Sequence, residues 1–151
     1  MFCEKGKDFM ADWIHKVQYY ETDQMQIVHH SNYIRWFEEA RTYLMDEIDF
    51  GYDKMEEEGI VVPVLSVYTE YKSMTRFGET VKIQAKIKEF TGVKLVVSYE
   101  ITDQDSGEIR CVGETKHALL DKETYRPLSL KRKHKEIYQL FQNMMEQEIQ
   151  E

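Results

Sequence analysis

One helical stretch followed by an almost unbroken run of strand-like segments limits the fold of this chain more than any other feature. Tyr33, Phe37, Ala40, Leu44 and Ile48 recur at helical spacing between Asn32 and Ile48 and make a single apolar stripe. At about 1.5 Å per residue that helix spans roughly 25 Å, with Ser31 or Asn32 available as N-cap and Gly51 closing it. Before it, Trp13 to Tyr20 reads as a first strand, which Glu21-Thr22-Asp23 ends with turn-forming polar residues. After it, Ile60 to Thr75 reads as a long strand with Pro63 near its start, and Phe77-Gly78 turns the chain.

The clearest strand follows. Val81, Ile83, Ala85 and Ile87 alternate with Lys82, Gln84, Lys86 and Lys88, so one face is buried and the other wet. Thr91-Gly92 leads into Val93, Leu95, Val97, Tyr99 and Ile101, and the segment Asp103 to Gly107 turns into Ile109 to Leu120. Ser129 is placed to cap a last helix whose stripe is Ile137, Leu140, Phe141, Met144 and Met145. Strand, helix, then several strands predicts an α+β fold, with one curved antiparallel sheet of about five strands around one long helix and a helix added at the C-terminus. No repeat, low-complexity tract or flexible linker divides the chain, so residues 1–151 are expected to form one domain, with a core over about 12–128 and the last helix over about 129–149.

Composition narrows the function classes. A formal charge of −8 repels a nucleic-acid backbone over most of the surface, so no nucleic-acid partner is expected. No uncharged run approaches the roughly 20 residues of a membrane span, and the N-terminal residues lack the apolar segment of an export signal; no membrane association is expected. Cys3 and Cys111 stand far apart without metal-ligand spacing, which predicts neither a disulfide framework nor a metal site and suits a reducing cytoplasm.

The residues with the most chemical content are those at the helix entrance. Asp23 ends a strand beside the first turn of a helix, where unpaired amides and the positive dipole end favour negative charge. A carboxylate next to an anion-stabilising pocket suits acyl transfer. Taken alone, an aspartate in this position is more often a cap or turn former. His29 and His30 are likewise readable as partly buried histidines satisfied by neighbours.

The wider pattern changes those odds. Tyr20-Glu21-Thr22-Asp23, Ile27-Val28-His29-His30-Ser31-Asn32-Tyr33 and Trp36-Phe37-Glu38-Glu39-Ala40-Arg41 resemble the hotdog-fold acyl-CoA thioesterases of the 4-hydroxybenzoyl-CoA thioesterase type, including the short-chain bacterial branch associated with the Tol-Pal gene cluster. Arg76-Phe77-Gly78-Glu79 looks like that family's turn between its second and third strands, and Asp121 to Pro127 like its closing strand end. The resemblance implies a helix wrapped by an antiparallel sheet, subunits paired as a homodimer or homotetramer, and active sites at the subunit interface. One residue departs from it: Gln26 stands where the family usually has glycine, and glutamine takes positive φ less cheaply.

The resemblance implies an acyl-CoA thioesterase in which Asp23 attacks the thioester carbonyl or activates water, and His30 assists through its side chain or its N–H. Ile27, Val28, His29 and Tyr33 are the candidates for oxyanion stabilisation and substrate positioning. Lys72, Arg76 and Lys82 are candidates for coenzyme A phosphates, although a solvated strand face explains them equally well. Tyr33, Trp36, Tyr68 and Tyr71 are candidate acyl-pocket residues, although aromatic residues at such positions are more often simple core. Glu38 or Glu39 is an alternative carboxylate, because a second hotdog branch carries its acid on the helix; an ion-paired helical glutamate, with Arg41 one turn beyond Glu38, is the simpler reading. No cofactor or metal is implied beyond the coenzyme A of the substrate. Two other functions fit the residues: a noncatalytic binder of acyl-CoA or acyl-carrier protein, and a hotdog hydratase or dehydratase.

Overall fold

The computed structural model describes residues 10–150. Strand β1 (Met10–Lys16) leads through a single 3-10 turn (Tyr19–Glu21) to helix α1 (Ser31–Glu47) and a short helix α2 (Tyr52–Glu57). Strands β2 (Ile60–Val61), β3 (Val64–Tyr71), β4 (Thr80–Phe90), β5 (Lys94–Asp103), β6 (Ile109–Ala118) and β7 (Leu120–Asp121) follow, then helices α3 (Leu130–Lys133) and α4 (Lys135–Gln150). Five strands form one sheet in the order β1-β4-β5-β6-β3, with every neighbouring pair antiparallel. β2 and β7 form a separate antiparallel pair.

Period two in the sequence becomes two faces in the sheet. Val81, Ile83, Ala85 and Ile87 of β4 are all fully buried, while Lys82, Gln84 and Lys86 between them keep partial access to water. α1 lies on the buried face against β1 and β4, and Phe37, Ala40 and Leu44 of its stripe are almost wholly enclosed. Burying a side chain the size of Phe37 or Leu44 stabilises the fold by about 1.5–3 kcal/mol. The α+β architecture and its five-stranded antiparallel sheet are as the sequence predicts.

Element ends differ from the sequence pattern for local reasons. β1 stops at Lys16 instead of continuing to Tyr20, and Tyr19 and Tyr20 turn outward at 77% and 79% exposure. The position preceding α1 is His30, with no side-chain cap; Ser31 and Asn32 belong to the first turn, where the Ser31 N–H reaches His29 Nδ1 at 3.2 Å and Asn32 turns its amide back to Glu21. α1 is closed by Asp49, which takes the left-handed conformation at φ 60°, whereas Gly51 opens α2. The long strand expected from Ile60 to Thr75 is two strands ending at Tyr71, because Pro63 has no N–H for a ladder and its carbonyl accepts Ala118 N–H as the chain changes sheets.

The last helix is broken at His134 into α3 and α4. Ile137 and Phe141 are buried and Phe141 stacks on Phe90 of β4, with centroids 4.6 Å apart. Cys3 lies outside the described residues, as does the Met144 side chain; Cys111 is buried and free. Among the described residues, no helix is long and apolar enough to cross a membrane.

Candidate active site

The segment between β1 and α1 folds into a small hairpin. Thr22 bridges Val28, the Asp23 N–H donates to the Ile27 carbonyl at 2.8 Å, and the Gln26 N–H returns to the Asp23 carbonyl at 2.9 Å. Closing so tight a turn demands a left-handed residue, and Gln26 supplies it at φ 66°. A non-glycine residue there costs roughly 1–2 kcal/mol. The position at which the sequence departs from its family resemblance is therefore the strained one. Asp23 Oδ1 accepts the Met25 N–H at 2.8 Å, so one carboxylate oxygen is fixed by the turn.

Two further elements hold this hairpin. Ile27 bridges Arg76, and the Val28 N–H donates to the Thr75 carbonyl at 2.8 Å, which ties the hairpin to the segment joining β3 and β4. Thr75 is completely buried, and its hydroxyl also receives the Tyr33 O–H at 3.1 Å. Burial raises the Tyr33 hydroxyl above the usual phenol range despite that bond. The Tyr71 hydroxyl reaches the His30 carbonyl at 3.4 Å, and the Tyr71 ring lies 5.4 Å from that of Tyr33 and 6.2 Å from that of His30.

The two histidines are both exposed and stack at 4.2 Å. Their backbone groups are placed differently. The His29 N–H is engaged by the Glu21 carbonyl at 2.8 Å, whereas the His30 N–H, at the mouth of α1, has no acceptor among the described residues. The 17 residues of α1 stand behind that amide with the positive end of the helix dipole toward it. An anion placed there would meet a free donor and a favourable field.

A model of the thioesterase-like superfamily matches residues 17–141, which contain this entire arrangement. The chain belongs to that superfamily. Over 117 residues it is 36% identical to the protein of Bacillus subtilis (strain 168) named "Putative acyl-CoA thioesterase YneP", covering 78% of this chain and 84% of that one. It is 27% identical over 94 residues to the acyl-CoA thioester hydrolase YbgC of Escherichia coli O6:H1, covering 62% and 70%. Among solved structures, a DHNA-CoA thioesterase from Staphylococcus aureus superposes with a TM-score of 0.86 at 27% identity over 93% of this chain and 94% of that one. The chain is a thioester hydrolase with the hotdog fold.

The remaining candidate residues of this thioesterase divide by location. Arg76 is exposed directly beside the Asp23 hairpin. Lys72 lies past the end of β3 and pairs with Glu70 at 3.3 Å. Lys82 is on the outer face of β4, opposite Ile14 and Thr102. Trp36 is core, and Tyr68 points to the outer face of β3, where it donates to Glu70 at 2.5 Å. Arg41 is buried and donates to the Tyr52 and Tyr99 hydroxyls at 2.8 and 3.0 Å, not to Glu38. Glu39 accepts from the Trp13 indole at 3.1 Å.

Sequence reasoning passed over Glu21, Thr75 and Tyr71 as parts of the hairpin's support. Tyr71 was marked only as a pocket aromatic, and Glu21 only as a turn acid two residues ahead of Asp23, although folding leaves it just 5% exposed. Concavities of about 460, 420 and 310 Å³ lie along the outer side of α1 and around α3, and none of these three includes Asp23 or His30. No group of three or more His, Cys, Asp or Glu side chains among the described residues is arranged to hold a metal ion.

Proposed function

We propose that this chain hydrolyses acyl-CoA thioesters, with Asp23 supplying or activating the attacking oxygen and the His30 N–H receiving the oxyanion. The observation that carries the reading is an anchored carboxylate on the hairpin and an unengaged helix-entrance amide two residues beyond it, on one short segment between β1 and α1. A thioester carbonyl is electrophilic and its thiolate leaves readily, so what remains for the protein is an oriented oxygen and a donor for the tetrahedral oxyanion. One Asp23 oxygen is bound to the Met25 N–H, which leaves the other for the carbonyl carbon or for water. Arg76, beside the hairpin, is the cation nearest to hand for the phosphates of coenzyme A.

The acyl group needs walls that a single chain does not complete. Val67 and Tyr71 pair with the buried Thr115 and Cys111 and so point to the helix side of the sheet, yet they are 41% and 47% exposed. They lie on an edge strand whose outer backbone groups are unpaired in the sheet. A second copy of the chain laid against β3 covers both the edge and this apolar face, and closes a pocket beside His30.

Thiol release from a series of acyl-CoA esters tests the reading. Wild type is expected to turn over, and Asp23→Asn to lose about 100-fold or more in kcat. Release that survives Asp23→Asn removes Asp23 from the chemistry. Acyl-CoA that binds wild type and is never cleaved would make the protein a binder instead.

A further inference from the structure

Glu21 joins more elements around the hairpin than any residue assigned a role in the reaction. One carboxylate oxygen accepts the Gln18 N–H and stands 2.8 Å from His15 Nε2 of β1, the Gln18 contact also being 2.8 Å. The other accepts the Trp36 indole N–H of α1 at 2.8 Å. Its backbone carbonyl accepts both the His29 N–H and the Asn32 side-chain amide at 2.8 Å, so it grips the chain on either side of His30. Two residues further along is Asp23.

A carboxylate this enclosed is expensive unless its lone pairs are filled. Burial by itself would raise the Glu21 carboxyl, yet the Gln18 amide, His15 and the Trp36 indole together leave it below the usual carboxylate range. The group is thus held as an anion, and three donors fix where it lies. The charged and titratable neighbours are His15 from β1 and, beyond it, Glu39 of α1, whose carboxylate is 4.0 Å from His15 Nδ1. Movement of Glu21 therefore shifts its own carbonyl, and with it the amides on both sides of His30.

We propose that Glu21 is the positioning residue of the reaction: anchored by His15, Gln18 and Trp36, it sets the His30 N–H and the Asp23 carboxylate in register with each other. It touches neither substrate nor the reacting atoms. This inference rests on the reading of Asp23 and His30 given above. The physical reason is steric precision, since a displacement of about 1 Å in a catalytic group lowers a rate by as much as about 100-fold. A residue that only supported the fold would lower stability and leave turnover per folded molecule unchanged.

The test compares kcat, KM and thermal unfolding of the full chain for wild type, Glu21→Gln, Trp36→Phe and Asp23→Asn with acyl-CoA. Glu21→Gln keeps the size of the side chain while an amide N–H₂ replaces one acceptor oxygen. A fall in kcat of about 10- to 100-fold, with KM within about threefold of wild type and a folded protein, is the expected result. Trp36→Phe, which removes only the indole donor to the same oxygen, is expected to reduce kcat in the same sense and serves if Glu21→Gln does not fold. Wild-type kcat in either folded variant, beside an inactive Asp23→Asn, overturns the role of Glu21 alone. Wild-type turnover by Asp23→Asn overturns both it and the reading on which it rests.

Discussion

The ring of Phe37 stacks on the ring of Tyr99, with centroids 4.4 Å and planes 13° apart, and this contact seats α1 on the sheet. It is possible because position 113, beside Tyr99 on β6, carries no side chain. A Cβ there would lie 2.6 Å from the Tyr68 carbonyl oxygen and 2.7 and 2.8 Å from Phe37 ring atoms. Backbone on one side and an enclosed ring on the other leave no room to yield. Gly113→Ala is expected to destabilise the fold by about 1–3 kcal/mol, measurable as a lower urea midpoint at unchanged slope.

Behind that stack runs a buried polar chain. Arg41 donates to the Tyr99 hydroxyl, which meets Thr115 Oγ1 at 2.7 Å, and that oxygen meets His117 Nε2 at 2.8 Å. His117 is fully buried, and burial, followed by the Arg41 charge, lowers its pKa from 6.5 to about 4. The unfolded chain then binds a proton that the folded chain refuses between those two values. Stability should accordingly fall as pH drops from about 6.5 to about 4, by roughly 3 kcal/mol from this residue. Urea unfolding at stepped pH checks it, and His117→Met should flatten the slope by close to one proton in that window. The depressed Glu21 carboxyl acts in the same direction but lower down, its contribution being lost as pH falls through its own reduced pKa.

At Gln26 the expectation can be read in both directions. Gln26→Gly relieves about 1–2 kcal/mol of left-handed backbone cost and gives back about 0.5–1 kcal/mol through a freer unfolded chain, so a net gain of up to about 1.5 kcal/mol is expected. The side chain is exposed, and little packing is lost with it. Gln26→Val, with a branched Cβ at φ 66°, should be less stable than wild type. Chemical denaturation of the three proteins should place wild type between the two variants.

Val67 offers a test of assembly. Val67→Arg puts a charge on the apolar helix-side face of the edge strand without disturbing its ladder to β6. Wild type is expected to scatter light as a dimer or larger and Val67→Arg as a single chain at the same concentration, and thiol release should fall with it. The dissociation constant is expected to rise about tenfold for each 1.4 kcal/mol lost. A wild-type mass for Val67→Arg would show that β3 is not the joining edge.

The proposed site was legible to the extent that its residues are contiguous. Asp23, Ile27, Val28, His30 and Tyr33 lie within one short stretch, and a resemblance carried on neighbouring residues can be read without knowing the fold. Glu21 lies in the same stretch but was not read, because its partners His15 and Trp36 are 6 and 15 residues away in opposite directions. Thr75 is farther still, 42 residues from the Tyr33 that bonds it. Nothing local marks a threonine as the meeting point of a hairpin and a helix.

The order of elements, the buried face of β4 and the stripe of α1 were all contained in the chain itself, since each depends on periodicity, whereas the left-handed demand at position 26 was pointed to only by the family resemblance. The break at Pro63, the transfer of β2 to a pairing with β7, the left-handed Asp49 and the anchoring of Glu21 were decided only by folding. Buried donors and acceptors must find partners wherever packing brings them, and those partners are set by the tertiary arrangement and not by neighbours in sequence.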